Sequence, residues 1–185
     1  MTPGDIYASR AVKDADKRLL ALNQARKERD VERLIFFLRD ADHRDFAAST
    51  LGKLGDPRGI GPLRPLLAAS DFRARAAAAH ALADLGDADS VDRLKEMALD
   101  DPHEVPRMWA VVGVGKLAGR DALAFLISCL DDPHPKVRQN AAYALGLVGD
   151  PHAVEPIRQA KQKDSWRWRK IYAKALERIR TASAP

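Results

Sequence analysis

Five arginines, Arg44, Arg75, Arg107, Arg138 and Arg169, stand 31, 32, 31 and 31 residues apart, and each opens a similar stretch. The stretches are FAASTLGKLGD (46–56), AAAHALADLGD (77–87), WAVVGVGKLAG (109–119), NAAYALGLVGD (140–150) and a partial copy, IYAKALERI (171–179). A register kept over five copies marks a chain built by stacking one unit, because a single unit cannot bury its own apolar face.

Each unit carries two helix patterns. In the first, small apolar residues share one face, as at Ala78, Ala79 and Leu82 and again at Ala141, Ala142 and Leu145. That is the helical period, and alanine lets neighbouring helices approach closely. The second pattern is shorter: Ile60, Leu63, Leu67; Val91, Leu94, Ala98; Ala122, Phe125, Cys129; Val154, Ile157. Strand alternation is absent. Gly55, Gly86, Gly119 and Gly149 separate the two patterns, where a helix end needs a left-handed residue. The fold class expected is all-α, a right-handed solenoid of stacked antiparallel helix pairs. Its units are 40–70, 71–100, 101–131 and 132–163. A divergent capping unit, 9–39, precedes them, and a capping helix, 164–181, closes the array.

The triplet Asp-Pro-His occurs at 101–103, 132–134 and 150–152. Asp, His and nearby acids could suggest a metal or acid–base site. The first two copies precede a first helix and the third precedes a second helix. A repeated site should keep its phase in the unit, whereas a helix-start signal need not. The triplet therefore reads as a joint. Asp101 and Glu104 have capping-box spacing, and Pro106 threatens to delay or bend that helix.

The pattern of arginine, paired alanines, Ala-Leu-Gly and Gly-Asp resembles HEAT repeats, above all the short phycobilisome-lyase HEAT-like type. The stretch DDPHPKVRQNAAYALGLVGDPHAVEPI is nearly a consensus unit, and the resemblance covers about 40–181 well and 9–39 loosely. Such units occur in scaffolds, bilin-lyase subunits, a di-iron hydroxylase and DNA glycosylases, so the resemblance fixes the fold more than the function. It implies a polar ladder of Asp71, Asp132 and Asp164 with Arg75, Arg138 and Arg169. It also implies second helices lining the concave side.

Function is tested against those classes. The hydroxylase holds iron with His-Glu pairs directly after the repeat arginine. Here those places read Asp45-Phe46, Ala76-Ala77, Met108-Trp109, Gln139-Asn140 and Lys170-Ile171. The single His-Glu pair, His103-Glu104, is out of phase. No metal ligands, cofactor or catalytic residues are therefore assigned. His80 reads as an outward surface histidine, and Cys129, the single cysteine, as a buried structural thiol. There is no run of about 18 apolar residues that would span a membrane. The N-terminus lacks a secretory signal's apolar stretch, which together places the protein in the cytoplasm.

The net charge of +5 is uneven: 158–185 hold nine Lys/Arg against two acids, while 1–157 hold 22 against 24. The expectation is a non-enzymatic, protein-binding scaffold whose partner is another protein. Binding is assigned to Arg33, Phe36, Arg93, Glu96, Ile127 and Gln159 on the second helices, and to Trp109 and Tyr143 in an outward row of first helices with Val112. One alternative is nucleic-acid binding through Arg158, Lys161, Lys163, Trp166, Arg167 and Lys170, where cations attract phosphate and aromatic rings stack on bases. The other is a bilin-lyase-like enzyme subunit. The oligomeric state is left open.

Overall fold

The computed structural model describes residues 17–165 and 169–182. All regular structure among them is helical. The pairs are α1 (17–28) with α2 (Val31–Phe37), α3 (Arg44–Leu54) with α4 (Ile60–Leu63), and α5 (Phe72–Asp84) with α6 (Val91–Asp100). They continue with α7 (Glu104–Ala118) and α8 (Leu123–Ser128), then α9 (Pro135–Val148) and α10 (Val154–Lys163), and α11 (Arg169–Ala182) closes the stack. First helices pack in one row, α3 on α5, α5 on α7, α7 on α9 and α9 on α11, and each second helix also packs on the following first helix. The chain is an α-solenoid.

The row is tight because its contacts are made by glycine and alanine. A Cβ placed on Gly52 would lie 2.7 Å from the Cα of Ala81, on Gly115 2.8 Å from the Cβ of Ala144, and on Gly146 2.9 Å from the Cα of Ala175. At the α5–α7 step the roles are exchanged, with Gly113 facing Ala83. Leucines fill the space between rows. Leu51, Leu82 and Leu145 on first helices and Leu34, Leu63, Leu94 and Leu126 on second helices are fully buried. Each such side chain contributes about 1.5–3 kcal/mol. Second helices are short where proline removes backbone donors: Pro62 and Pro65 break the second helix of that unit into α4 and a 3-10 turn, Arg64–Ala68.

The joints follow the sequence with corrections. Gly55, Gly86 and Gly149 adopt φ of 73–74° and close their helices in the left-handed region. In all three Asp-Pro-His triplets the aspartate accepts the N–H of the histidine two residues on, at 3.0, 2.7 and 2.9 Å. The triplet is a turn preceding a helix. The capping box of Asp101 and Glu104 is not formed. His103 occupies the N-cap of α7, its Nδ1 accepting from Val105 at 3.4 Å. Pro106 neither delays nor displaces the helix start. It lies buried in the first turn, where an N–H has no intrahelical partner.

The ladder is formed, and its rungs cross from unit to unit. Arg75 binds Asp101 at 2.7 and 2.8 Å, Arg107 binds Asp132 at 2.9 and 3.2 Å, and Arg138 binds Asp164. The Nη1 of each turns back to the carbonyl six residues upstream, at Ala69, Asp101 and Asp132. Asp71 does not pair with Arg75 in a rung; it caps α5 by accepting from Arg73 at 3.1 Å. Arg169 is exposed at the start of α11. Arg44, the equivalent arginine in the first full unit, has a buried Nε with no hydrogen-bond partner among the described residues.

Candidate functional site

The residues assigned from sequence divide among separate places. Arg93 and Glu96 come together on α6, paired at 2.7 Å, and line a cleft of about 390 Å3 on the second-helix side. Leu67, Ala68 and Met97 give the cleft an apolar wall, and Arg75, Asp100 and Asp101 give it a polar one. Burial pushes the Asp101 carboxyl upward, but the bonds from Arg75 and the His103 N–H, with their charges, outweigh it and hold it below the ordinary carboxylate range. Arg75, Met97, Asp100 and Asp101 were not assigned to a site from sequence. The 31-residue arginine period was their available signal, since it set one end of the rung that walls the cleft.

Arg33 and Phe36 sit elsewhere. They line a hollow of about 610 Å3 near the N-terminal end with Lys17, Leu20, Gln24 and Phe37, and Phe36 is 66% exposed. Gln159 is exposed on α10, while Ile127 is half-buried against the core. Trp109 is half-buried and stacked on His80 with ring centroids 4.0 Å apart. Tyr143 is half-buried under the Arg178 guanidinium, 4.9 Å from its ring centroid. Val112, expected in the same outward row, is 4% exposed and belongs to the interior. His80 is not a plain surface histidine. Burial lowers its pKa, the Lys116 and Lys53 charges add to that, and Asp84 at 3.4 Å opposes them.

The basic C-terminal end is partly neutralised by pairing. Arg158 meets Glu155 at 3.6 Å and Lys163 meets Asp131 at 2.8 Å; Lys161 is half-buried and Lys170 exposed. Trp166 and Arg167 lie outside the described residues. Burial, aided by the Asp132 charge, pushes the Cys129 thiol up to about 12, so it is protonated and unreactive near neutrality. Among the described residues no group of three or more His, Cys, Asp or Glu could hold a metal ion, and no helix is long and apolar enough to cross a membrane.

Comparison with known proteins bears on both activity and fold. The chain is 30% identical over 154 residues to the phycocyanobilin lyase subunit alpha of Picosynechococcus sp. (strain PCC 7002), an alignment that covers 72% of this chain. It spans 58% of that relative's length. The complex of CpcE and CpcF of phycocyanin lyase from Nostoc sp. PCC7120 is similar in fold, with a TM-score of 0.63, 24% identity, and coverage of 84% of this chain and 66% of that one. A designed armadillo repeat protein in complex with the peptide (KR)4 shares the architecture at a TM-score of 0.58 and 19% identity, over 85% of each chain. The expectation of a non-enzymatic scaffold is thereby corrected, because the curated relative is an enzyme subunit. The reason it was misread is physical: stacking dictates most of this sequence, and no reactive constellation stands out against the repeat. The family model of HEAT repeats matches residues 31–115 and 123–185, and with the paired helices and the 31-residue period the chain belongs to the HEAT-repeat family.

Proposed function

We propose that the chain serves as a subunit of a bilin-lyase-type enzyme, handling a linear tetrapyrrole of the phycocyanobilin kind beside a second protein chain in the cytoplasm. The observation that carries this reading is the 30% identity over 154 residues with a phycocyanobilin lyase subunit. Lyase chemistry adds or removes a group across a double bond and needs its reactants held in register, which positioning alone can accelerate strongly. This chain's part is to bind and orient. The cleft on α6 suits one end of an amphipathic pigment: Leu67, Ala68 and Met97 offer an apolar wall, and Arg93 offers a cation on an exposed, rotatable side chain.

The test is titration of the purified full chain with phycocyanobilin. The expected result is a shifted visible absorption band with induced circular dichroism that saturates, weakened about tenfold in Arg93→Ala, which removes one charge-assisted contact. A pigment spectrum unchanged by the protein overturns the reading.

A further inference from the structure

A groove between α9 and α11, on the row of first helices, takes no part in the reading above. It encloses about 250 Å3 and is lined by Gln139, Asn140, Tyr143, Ile171, Lys174 and Arg178. Gln139 is 4% exposed, and its amide Nε2 finds no hydrogen-bond partner among the described residues. A buried amide without a partner is costly, and native interiors rarely keep one without a use. The covered end of the amide is its Nε2, and a half turn about the last side-chain bond presents its two donors to the groove in place of the acceptor oxygen.

The rest of the lining narrows what could satisfy it. Lys174 and Arg178 place two cations at the groove, and neither is in an ion pair among the described residues. Arg178 is already held over the Tyr143 ring at 4.9 Å, which orders it without neutralising it. Asn140 uses one of its two amide N–H groups on the Lys136 carbonyl at 2.7 Å, which holds its side chain along α9. Tyr143 and Ile171 supply an aromatic and an aliphatic wall. Cations with an amide donor select an anion carrying more than one acceptor oxygen. The apolar walls select an organic body over an inorganic oxyanion. The volume lies below the roughly 300–1,000 Å3 usual for drug-sized ligands, so the ligand is small.

We propose that the α9–α11 groove binds a small free organic carboxylate. Its oxygens lie on the Gln139 amide and the Lys174 and Arg178 cations, and its flat or branched body lies against Tyr143 and Ile171. The proposal does not rest on the lyase reading, since it involves neither the α6 cleft nor the pigment.

The experiment follows the Gln139 side-chain NH2 resonances of the 15N-labelled full chain during titration with 3-phenylpropionate. The neutral 3-phenylpropanamide and inorganic phosphate serve as comparisons. A saturable shift with 3-phenylpropionate, with a Kd of order 1 mM for so small a probe, is expected, and little shift with the other two. In the doubly substituted Lys174→Ala, Arg178→Ala chain, checked for unchanged helical circular dichroism, the Kd should rise about tenfold or more. Gln139→Leu should abolish binding while keeping the helical circular dichroism. No saturable shift, an equal shift with the neutral amide or phosphate, or an affinity indifferent to the double substitution overturns the proposal. The double variant retains that power even if Gln139→Leu fails to fold.

Discussion

Arg29 holds φ of 56° at the end of α1, where three later joints place glycine at 73–74°. The Asp30 N–H still reaches the Ala25 carbonyl at 2.9 Å, so the helix closes in the same manner with a side chain in an unfavourable backbone region. Arg29→Gly is expected to stabilise the protein by about 0.5–1 kcal/mol, the relief of left-handed strain less the entropy that glycine adds to the unfolded chain. A thermal midpoint lowered by this change would refute the account. Gly149→Val runs the opposite way. A β-branched residue at φ 73°, with the Ala182 Cβ already 3.1 Å from the position of a Cβ, should lose about 1–3 kcal/mol, read as a lower midpoint in denaturant. The glycine joints were legible because each follows its helix pattern at a fixed interval. His103 as the N-cap of α7 was not, because the aspartate two residues before it has the more familiar capping chemistry and is drawn away by Arg75.

Between elements, the same substitution changes sign with its surroundings. Ala is a better helix former than Gly by about 1 kcal/mol. Gly61→Ala in α4 meets nothing within 4 Å and should stabilise by up to that amount. Gly115→Ala in α7 would bring Cβ atoms to 2.8 Å and force α7 from α9, a net loss of about 1–3 kcal/mol. Equal shifts in the unfolding midpoints of the two variants would remove close helix approach as the organising contact. The Arg–Asp rungs add a pH dependence. Asp101 is held below its ordinary range despite burial, and Asp87 is held low by Arg64, with burial opposing and Ser90 assisting. A carboxyl lowered on folding stabilises above the unfolded pKa, near 3.9, and that contribution is lost as pH falls through the folded value. Asp101→Asn should therefore destabilise by about 1–3 kcal/mol at pH 7, with the gap to the parent narrowing below about pH 4. Midpoints measured from pH 2 to 7 check this, and a gap that stays constant contradicts it. Arg75, Arg138, Asp132 and Asp164 were legible as rung members, but Asp101 as the partner of Arg75 escaped the sequence reading. Asp71 lies four residues before Arg75 and Asp101 lies 26 after, and both distances suit a pair until the stacking of α5 on α7 selects the second.

Over the whole molecule, the main helix contacts among the described residues join each unit to its neighbours, so stability approximates a sum of unit and interface contributions. Amide exchange should be slowest in α5, α7 and α9, which have first helices on both sides, and faster towards α1 and α11. In Gly115→Ala the loss of protection should concentrate in α7 and α9 and spare α3; uniform loss would mean that the array unfolds as one block. The stacked helix pairs, the small-residue row and the glycine joints were written in the sequence because one packing solution is repeated at every step. A single period records it many times. The sites were not. The α6 cleft joins Leu67, Arg75 and Asp101, and the α9–α11 groove joins Gln139 to Arg178, each across an interface between units. Whether Gln139 is buried depends on where α11 settles, and whether Phe36 and Ile127 share a surface depends on the rotation of two different second helices. The sequence alone determined the unit and its repetition, because local period and helix-end chemistry act within about ten residues. Only the tertiary structure decided rung partners, clefts and exposed faces, because these form between residues some 25–40 positions apart whose relative rotation is set by packing.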